Sequence, residues 1–149
     1  MTKALVTGGG GFLGGAIVDL LLDRKWQVNS YSRSTYPSLE EKGVLCFQGD
    51  LTDKEALTKA CADVNIVFHV AAKAGMWGPY EDYYQANVLG TNNVIEACQQ
   101  AKVARLVYTS SPSVVFDGKD MEGVDESVPY PSHYESHYPK TKAIAEQAV

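Results

Sequence analysis

Short apolar runs alternate with helical patterns along the whole chain. Runs rich in β-branched and aromatic residues predict strands at 4–6, 26–31, 44–48, 64–70 and 104–109. Between these runs, apolar residues recur at three- and four-residue steps, which is typical of amphipathic helices. Because strands alternate with helices, and crossovers between parallel strands are right-handed, the pattern predicts an α/β fold with a doubly wound parallel sheet of about five strands.

The longest predicted helix runs from about Glu81 to Ala101. Its predicted buried stripe consists of Tyr84, Val88, Thr91, Ile95 and Cys98. Shorter elements are predicted around it: a helix over 53–61, a loop at 36–38 and a long polar loop over 117–137. The last helix carries Tyr138 and Lys142 and continues to the final residue, Val149.

Four consecutive glycines, residues 8–11, lie between the first strand and the first helix, and Gly14 follows inside that helix. Two registers fit a dinucleotide-binding turn: Gly9-x-Gly11-x-x-Gly14, and Thr7-Gly8-x-x-Gly11-x-x-Gly14. In such a turn the glycines permit a tight bend, a close approach of backbone N–H groups to a pyrophosphate, and contact between helix and strand. The strand before the glycines and the helix after them favour a Rossmann βαβ unit over a flexible loop.

The ends of the next strands predict the rest of a cofactor site. The second strand ends at Arg33, where a dinucleotide fold meets the adenosine ribose, and no acidic residue is present to accept from the 2′-hydroxyl. A guanidinium suits a 2′-phosphate, so we predict NADP over NAD, the alternative being a solvated loop cation. Asp50 is placed to accept a hydrogen bond from the adenine amino group, with Leu51 against the adenine ring. The alternative is that Asp50 is the N-cap of the next helix, although Thr52 is better placed for that role.

Beyond the fourth strand, Ala71 and Ala72 have small side chains that leave room for the nicotinamide end of a cofactor. The predicted cofactor-binding residues are Gly8, Gly11, Phe12, Leu13, Gly14, Arg33, Asp50, Leu51, Ala71, Ala72, Lys73, Tyr138 and Lys142. Met76 and Trp77 in the following loop either cap a substrate cavity or pack on the domain. His69 has apolar neighbours in sequence, which favours a histidine of the core or strand end over a catalyst.

The last helix carries the predicted acid–base pair. Tyr138 and Lys142 are four residues apart and therefore project from one helical face. A nearby ammonium lowers the pKa of a phenol, and positioned proton transfer to a carbonyl oxygen contributes roughly 10²–10⁴-fold to a rate. A hydroxyl at the end of the fifth strand would bind the same oxygen; Ser111 is the first choice, before Ser113 and Ser110.

Taken together, these motifs resemble those of the extended short-chain dehydrogenase/reductases, in the branch similar to 3β-hydroxysteroid dehydrogenase/isomerases. The resemblance rests on the glycine turn and on the runs 49–51, 69–72, 87–94, 108–111 and 138–142. The runs 68–78 and 111–118 are similar to the 2-alkyl-3-oxoalkanoate reductases of bacterial olefin synthesis. The resemblance implies that Ser111, Tyr138 and Lys142 are the catalytic trio and that Lys142 also holds the nicotinamide ribose. It further implies that Asn87 supports the long helix or a proton relay.

The resemblance further implies an enzyme that interconverts 3-oxo and 3-hydroxy groups of an apolar substrate, such as a long-chain β-keto acid, with NADP or NAD. Members of that group are longer, so we expect residues 1–149 to be an NAD(P)-binding Rossmann domain that ends before a sixth strand and lacks the substrate-binding part. Such a unit should be poorly active alone. The resemblance implies a homodimer for the full-length protein.

Composition restricts the remaining alternatives. Hydrophobic residues make up 45% of the 149 residues and the net charge is −5, so the chain has no general attraction to nucleic acid or to an anionic membrane. Three widely spaced cysteines without a CxxC pair predict reduced thiols in the cytoplasm and no zinc site. A nucleotide-sugar epimerase or dehydratase and a non-catalytic dinucleotide-sensing module stay open as alternatives.

Overall fold

The computed structural model describes all 149 residues and contains a five-stranded parallel sheet with helices on both faces. The strands are Lys3–Thr7 (β1), Gln27–Ser32 (β2), Leu45–Gln48 (β3), Ile66–His69 (β4) and Arg105–Tyr108 (β5). Their order in the sheet is β3-β2-β1-β4-β5, and every neighbouring pair is parallel. The predicted α/β class with a doubly wound parallel sheet is confirmed.

Six α-helical segments follow or connect these strands. They are Phe12–Asp23 (α1), Pro37–Glu41 (α2), Lys54–Ala60 (α3), Tyr80–Tyr83 (α4), Gly90–Gln100 (α5) and His137–Ala148 (α6). A π-helical segment, Tyr84–Leu89, joins α4 to α5 without a break, and a 3₁₀ turn, Pro112–Val115, follows β5. None of these helices has the length and apolar character needed to cross a membrane.

The sheet separates two hydrophobic cores. Leu5 of β1 and Val67 of β4 point to the face that α3 and α5 cover, where they meet Leu57 and Val94. On the opposite face, residues of β1 and β2 pack against α1 and α2. Since adjacent side chains of a strand point to opposite faces, covering both faces explains why the central strands are apolar nearly throughout.

The predictions for two short segments were wrong. The predicted loop at 36–38 is the start of α2, because Pro37 occupies its first turn, where a missing N–H costs nothing. The N-cap of α3 is Asp53, whose carboxylate accepts from the backbone N–H of Ala56 at 3.0 Å, and not Thr52. The Thr52 hydroxyl instead donates to the Asp50 carboxylate at 2.8 Å.

The long helix differs from a regular one in a way that moves its buried face. A π-helical turn places one extra residue in the helix, so the side chains before it rotate relative to those after it. Tyr83 is therefore buried in place of the predicted Tyr84. Ile95, which lies after the π-helical turn, is only half-buried. Val88, Thr91 and Cys98 are buried as predicted.

Candidate dinucleotide and active site

The glycine turn is held by backbone contacts that require glycine. Gly8 has φ +73°, in the left-handed region, and its N–H donates to the carbonyl oxygen of Tyr31 at 2.8 Å. A Cβ on Gly14 would lie 2.1 Å from the Gly8 carbonyl oxygen, so only glycine lets α1 approach the turn this closely. Because Gly9 has no positive φ, the tight bend falls on Gly8, which favours the register that begins at Thr7.

Helix α1 begins at Phe12 directly after this turn. Its N-cap, Gly11, has no side chain to bind the first N–H groups, and the first turn contains no acidic residue. These N–H groups and the positive end of the helix dipole form an anion-binding arrangement. Binding of a pyrophosphate at this position stays a prediction.

A cavity of about 640 Å³ opens over the glycine turn at the carboxyl ends of β1, β2 and β4. The lining includes eleven of the thirteen predicted cofactor-binding residues: Gly8, Gly11, Phe12, Leu13, Gly14, Arg33, Asp50, Leu51, Ala71, Ala72 and Lys73. Tyr138 and Lys142 do not line it. The structure thus brings these eleven residues together, while their role toward a cofactor stays a prediction.

The cavity also has lining residues that the sequence reasoning did not select. Tyr36 lies against the glycine turn, where a Cβ on Gly10 would meet its ring at 2.3 Å. Asp82 and Gln85 reach the cavity from the long helix, and no local motif identifies them. Ser32 also belongs to the lining, and its hydroxyl is buried without a hydrogen-bond partner.

Arg33 and Asp50 face the same end of the cavity. Arg33 is exposed and takes part in none of the four ion pairs of the structure. Asp50 accepts from the Thr52 N–H at 2.9 Å, and this bond is the main cause that lowers the pKa of Asp50, with Arg33 a smaller one. Both bonds from Thr52 use Oδ1, which leaves Oδ2 for a ligand.

The loop after β4 exposes two large apolar side chains. Met76 is 72% exposed and Trp77 is 88% exposed, so the alternative that they pack on the domain is wrong. The Tyr83 hydroxyl donates to the Trp77 carbonyl oxygen at 2.9 Å and ties this loop to the long helix. Phe12, at the cavity rim, is fully exposed as well.

His69 is a core residue, as predicted, but its neighbours are polar. Its Nδ1 lies 2.7 Å from the Thr7 hydroxyl and its Nε2 lies 3.0 Å from the Thr91 hydroxyl. The Thr7 oxygen also accepts from the N–H groups of Val70 and Ala71, both at 3.1 Å, so its own proton must go to Nδ1. His69 is therefore neutral with its proton on Nε2, and the Thr7–His69 contact fixes the cavity wall at Val70 and Ala71.

Asn87, in the π-helical segment, connects three parts of the site. Its side chain accepts from the Lys73 N–H at 2.8 Å and donates to the Lys73 carbonyl oxygen and to the Thr141 hydroxyl, both at 3.0 Å. Lys73 lines the cavity, and Thr141 lies beside Lys142 in α6. Asn87 thus joins the loop after β4 to the helix of the predicted acid–base pair.

The three candidate serines at the end of β5 have different surroundings. The hydroxyls of Ser111 and Ser113 are 2.8 Å apart, and Ser111 also accepts from the Ser113 N–H at 3.3 Å. When the Ser113 hydroxyl donates to Ser111, the Ser111 proton is free for a substrate oxygen. Ser110 donates to the Glu146 carboxylate instead, which makes it the least available of the three.

Lys142 is buried at the end of β5, with only 3% of its surface exposed. Its ammonium donates to the Thr109 carbonyl oxygen at 2.6 Å, and burial lowers the pKa of Lys142 to about 8 against a smaller opposing effect of Glu146. Tyr138, one turn earlier in α6, is partly exposed. Helix α6 packs against the 3₁₀ turn that begins after Ser111, and the catalytic roles of Ser111, Tyr138 and Lys142 stay a prediction.

The sheet order, the glycine turn and the cavity define the class of protein, which is a Rossmann protein of the short-chain dehydrogenase/reductase type. Residues 5–149 match the model of the 3-beta hydroxysteroid dehydrogenase/isomerase family, and the chain belongs to this family. The predicted family is confirmed.

The curated relatives that match nearly the whole chain include two reductases. It is 51% identical to a 2-alkyl-3-oxoalkanoate reductase of Stenotrophomonas maltophilia, covering 99% of this chain and 45% of the relative. It is 47% identical to a 2-alkyl-3-oxoalkanoate reductase of Shewanella oneidensis, covering 100% of this chain and 38% of that relative. The chain therefore spans less than half the length of these relatives.

The solved structures with a similar fold include nucleotide-sugar enzymes. The UDP-glucose 4-epimerase of Thermus thermophilus in complex with NAD superposes with a TM-score of 0.84 at 34% identity, covering 99% of this chain and 49% of the epimerase. This neighbour contains NAD, which agrees with a dinucleotide in a fold of this kind and leaves the predicted preference for NADP untested.

Proposed function

We propose that the protein to which this chain belongs is an NADP-dependent oxidoreductase that interconverts a 3-oxo and a 3-hydroxy group on an apolar substrate, either a long-chain β-keto acid or a sterol-like compound. The observation that carries the proposal is the cavity over the glycine turn, with the unpaired guanidinium of Arg33 in its lining. Ser111 and the buried Lys142 lie near the carboxyl end of β5, where Lys142 donates to the Thr109 carbonyl oxygen. The names of the relatives, which are reductases of 2-alkyl-3-oxoalkanoates, support this substrate class.

In this proposal the cofactor, when bound, supplies or accepts the hydride. Tyr138 gives its phenolic proton to the substrate oxygen during reduction and takes it back during oxidation. Ser111 donates a hydrogen bond to the same oxygen and holds the carbonyl in place. Lys142 places a positive charge one helical turn from Tyr138, and its burial leaves little water to screen that charge.

Replacing the phenol tests the reaction. In the whole protein, Tyr138→Phe should lower kcat for reduction of a long-chain 3-oxo acid by about 10²-fold or more, because the proton donor is lost. Tyr84→Phe is the matched control, since Tyr84 is partly buried in the long helix and its hydroxyl makes no hydrogen bond. Unchanged turnover in Tyr138→Phe would contradict the mechanism, whereas absence of turnover in the wild type would favour a dinucleotide-sensing module without chemistry.

Arg33 provides the argument for NADP. Charge-assisted hydrogen bonds from a guanidinium to a phosphate contribute about 1.5–3 kcal/mol, so Arg33→Ala should weaken NADP binding by roughly 10- to 100-fold and leave NAD binding nearly unchanged. Arg24→Ala, at the exposed end of α1, is the control. Titration of the wild-type protein with both cofactors decides the preference, and equal or tighter binding of NAD would contradict it.

A nucleotide-sugar epimerase or dehydratase is the second candidate, because the similar solved structures include a UDP-glucose 4-epimerase. The exposed Met76 and Trp77, in the loop that follows the cavity residue Lys73, favour an apolar substrate instead. Incubation of the whole protein with NADPH and a long-chain 3-oxo acid, and separately with UDP-glucose, distinguishes the two. Conversion of the nucleotide sugar alone would replace the leading proposal.

A further inference from the structure

The ammonium of Lys142 is buried without a carboxylate in contact with it. All four ion pairs of the structure lie elsewhere, at Lys42, Lys54, Lys59 and Lys73. The bond from Lys142 to the Thr109 carbonyl oxygen uses one of the three N–H groups. A buried charge needs further compensation, so another group must interact favourably with this ammonium.

The ring of Tyr108 provides that group. The Lys142 nitrogen lies 4.1 Å from the centroid of the Tyr108 ring, well inside the distance at which the negative face of an aromatic ring attracts a cation. On β4, His69 contacts the same ring with a centroid separation of 5.7 Å, which helps to fix its orientation. The Tyr108 hydroxyl is buried and makes no hydrogen bond, so what this position offers to Lys142 is the face of its ring.

We propose that Tyr108 is a positioning residue: its ring face and the Thr109 carbonyl oxygen form a cradle that holds the Lys142 ammonium at the end of β5, one helical turn from Tyr138. The contact itself does not depend on the proposed function, whereas its effect on turnover rests on that function. Because the cradle contains no carboxylate, it keeps the positive charge of Lys142 available to the phenol of Tyr138 and leaves an N–H group free for a ligand.

Four titratable groups face Lys142 from the elements packed around it. His69 of β4 is neutral, since burial lowers its pKa to about 3, and Tyr108 of β5 is neutral because burial raises its pKa. In α6, Tyr138 precedes Lys142 by one turn and Glu146 follows it by one turn. Glu146 raises the pKa of Lys142 from a distance while its own carboxylate accepts from Ser110 and Tyr130.

Titration of Lys142 by NMR tests the cradle without any assay of activity. The side-chain resonances of ¹³C-labelled lysines are followed with pH in the wild type, in Tyr108→Phe and in Tyr108→Leu, and Lys142→Met assigns the signal. Leucine keeps the site apolar but removes the ring face, so the pKa of Lys142 should fall by about one unit. Phenylalanine keeps the ring and should retain the wild-type pKa. A pKa in Tyr108→Leu that is equal to or above the wild-type value would overturn the proposal.

A second measurement needs only the wild type and Tyr108→Phe, in case the leucine variant fails to fold. A methylene group next to an ammonium above a ring face experiences the ring current, so the Cε protons of Lys142 should resonate upfield of those of exposed lysines in both proteins. Lys140, which lies 5.2 Å from the Tyr80 ring on the surface, serves as a partial comparison. Absence of an upfield shift for Lys142 in both proteins would refute the contact.

Turnover separates this proposal from the proposed function. In the whole protein, the alkaline limb of the pH profile for 3-oxo acid reduction should move to lower pH in Tyr108→Leu and stay in place in Tyr108→Phe. A shifted pKa of Lys142 with an unmoved pH profile would support the cradle and contradict the proposed role of Lys142 in catalysis.

Discussion

The buried histidine should make the protein lose stability on mild acidification. Burial is the main cause that lowers the pKa of His69 to about 3, and the nearby positive charge of Lys142 lowers it further. Protonation at Nδ1 would also bring two protons together, because the Thr7 hydroxyl already donates to that nitrogen at 2.7 Å. In the unfolded chain the same imidazole titrates at about 6.5.

The size of this effect follows from linkage. Below pH 6.5 the unfolded chain binds a proton that the folded protein does not, so stability rises with pH in this range and falls as the pH is lowered toward 3. Between pH 7 and pH 5 the loss amounts to about 2 kcal/mol, at up to 1.36 kcal/mol per pH unit. Carboxyl groups ordinarily titrate near 4, below this window, so we expect His69 to dominate the change.

Urea denaturation at pH 7 and at pH 5 measures this loss of stability. With the slope usual for small proteins, 2 kcal/mol moves the midpoint by about 1 M. In His69→Gln the difference between the two pH values should nearly disappear, although this variant is less stable at both because Thr7 and Thr91 lose a partner. His133→Gln, at an exposed histidine, should keep the wild-type difference. A pH difference that persists unchanged in His69→Gln would refute the reasoning.

Two further predictions concern the glycine turn and Lys142. Gly14→Ala places a Cβ 2.1 Å from a backbone oxygen, so it should lower the free energy of unfolding by about 1–3 kcal/mol and abolish most of the dinucleotide binding. In Gly15→Ala the nearest atom would be 3.6 Å from the new Cβ, so this variant should be neutral or more stable by up to about 1 kcal/mol. Thermal unfolding and NADP titration measure both effects, and equal behaviour of the two variants would contradict the steric argument. Because the pKa of Lys142 is lowered to about 8, its burial penalty is complete below pH 8 and vanishes above about pH 10.4. Lys142→Met should therefore raise stability at pH 7 by on the order of 1 kcal/mol, after allowance for solvent screening, while turnover of the whole protein is lost. A Tm at pH 7 several degrees below that of the wild type would contradict this.

Local sequence signals were sufficient for the framework of the site. The glycine turn depends on Gly8 and Gly14, which are close in the chain, so its conformation follows from neighbouring residues. The alternation of strands and helices, read with the right-handed crossover rule, was enough to predict a parallel doubly wound sheet. Since the carboxyl ends of parallel strands share one edge of a sheet, the same reasoning collected the eleven predicted residues that line the cavity.

Contacts between residues distant in sequence lay beyond that reasoning. The apolar neighbours of His69 in the chain indicated an apolar environment, but its partners are hydroxyls 62 and 22 residues away. The shift of the buried face to Tyr83 depends on a π-helical turn for which the sequence carries no local signal.

The amino-acid sequence by itself determined the fold class, the family and the position of the glycine turn, because each of these depends on short-range patterns of residue type. Only the tertiary structure decided what surrounds the buried polar groups. Tyr108 and Lys142 are 34 positions apart, and the ring of one meets the ammonium of the other only because α6 packs beside the end of β5. The charge state of a buried group depends on such neighbours, and the chain brings them together only when it folds.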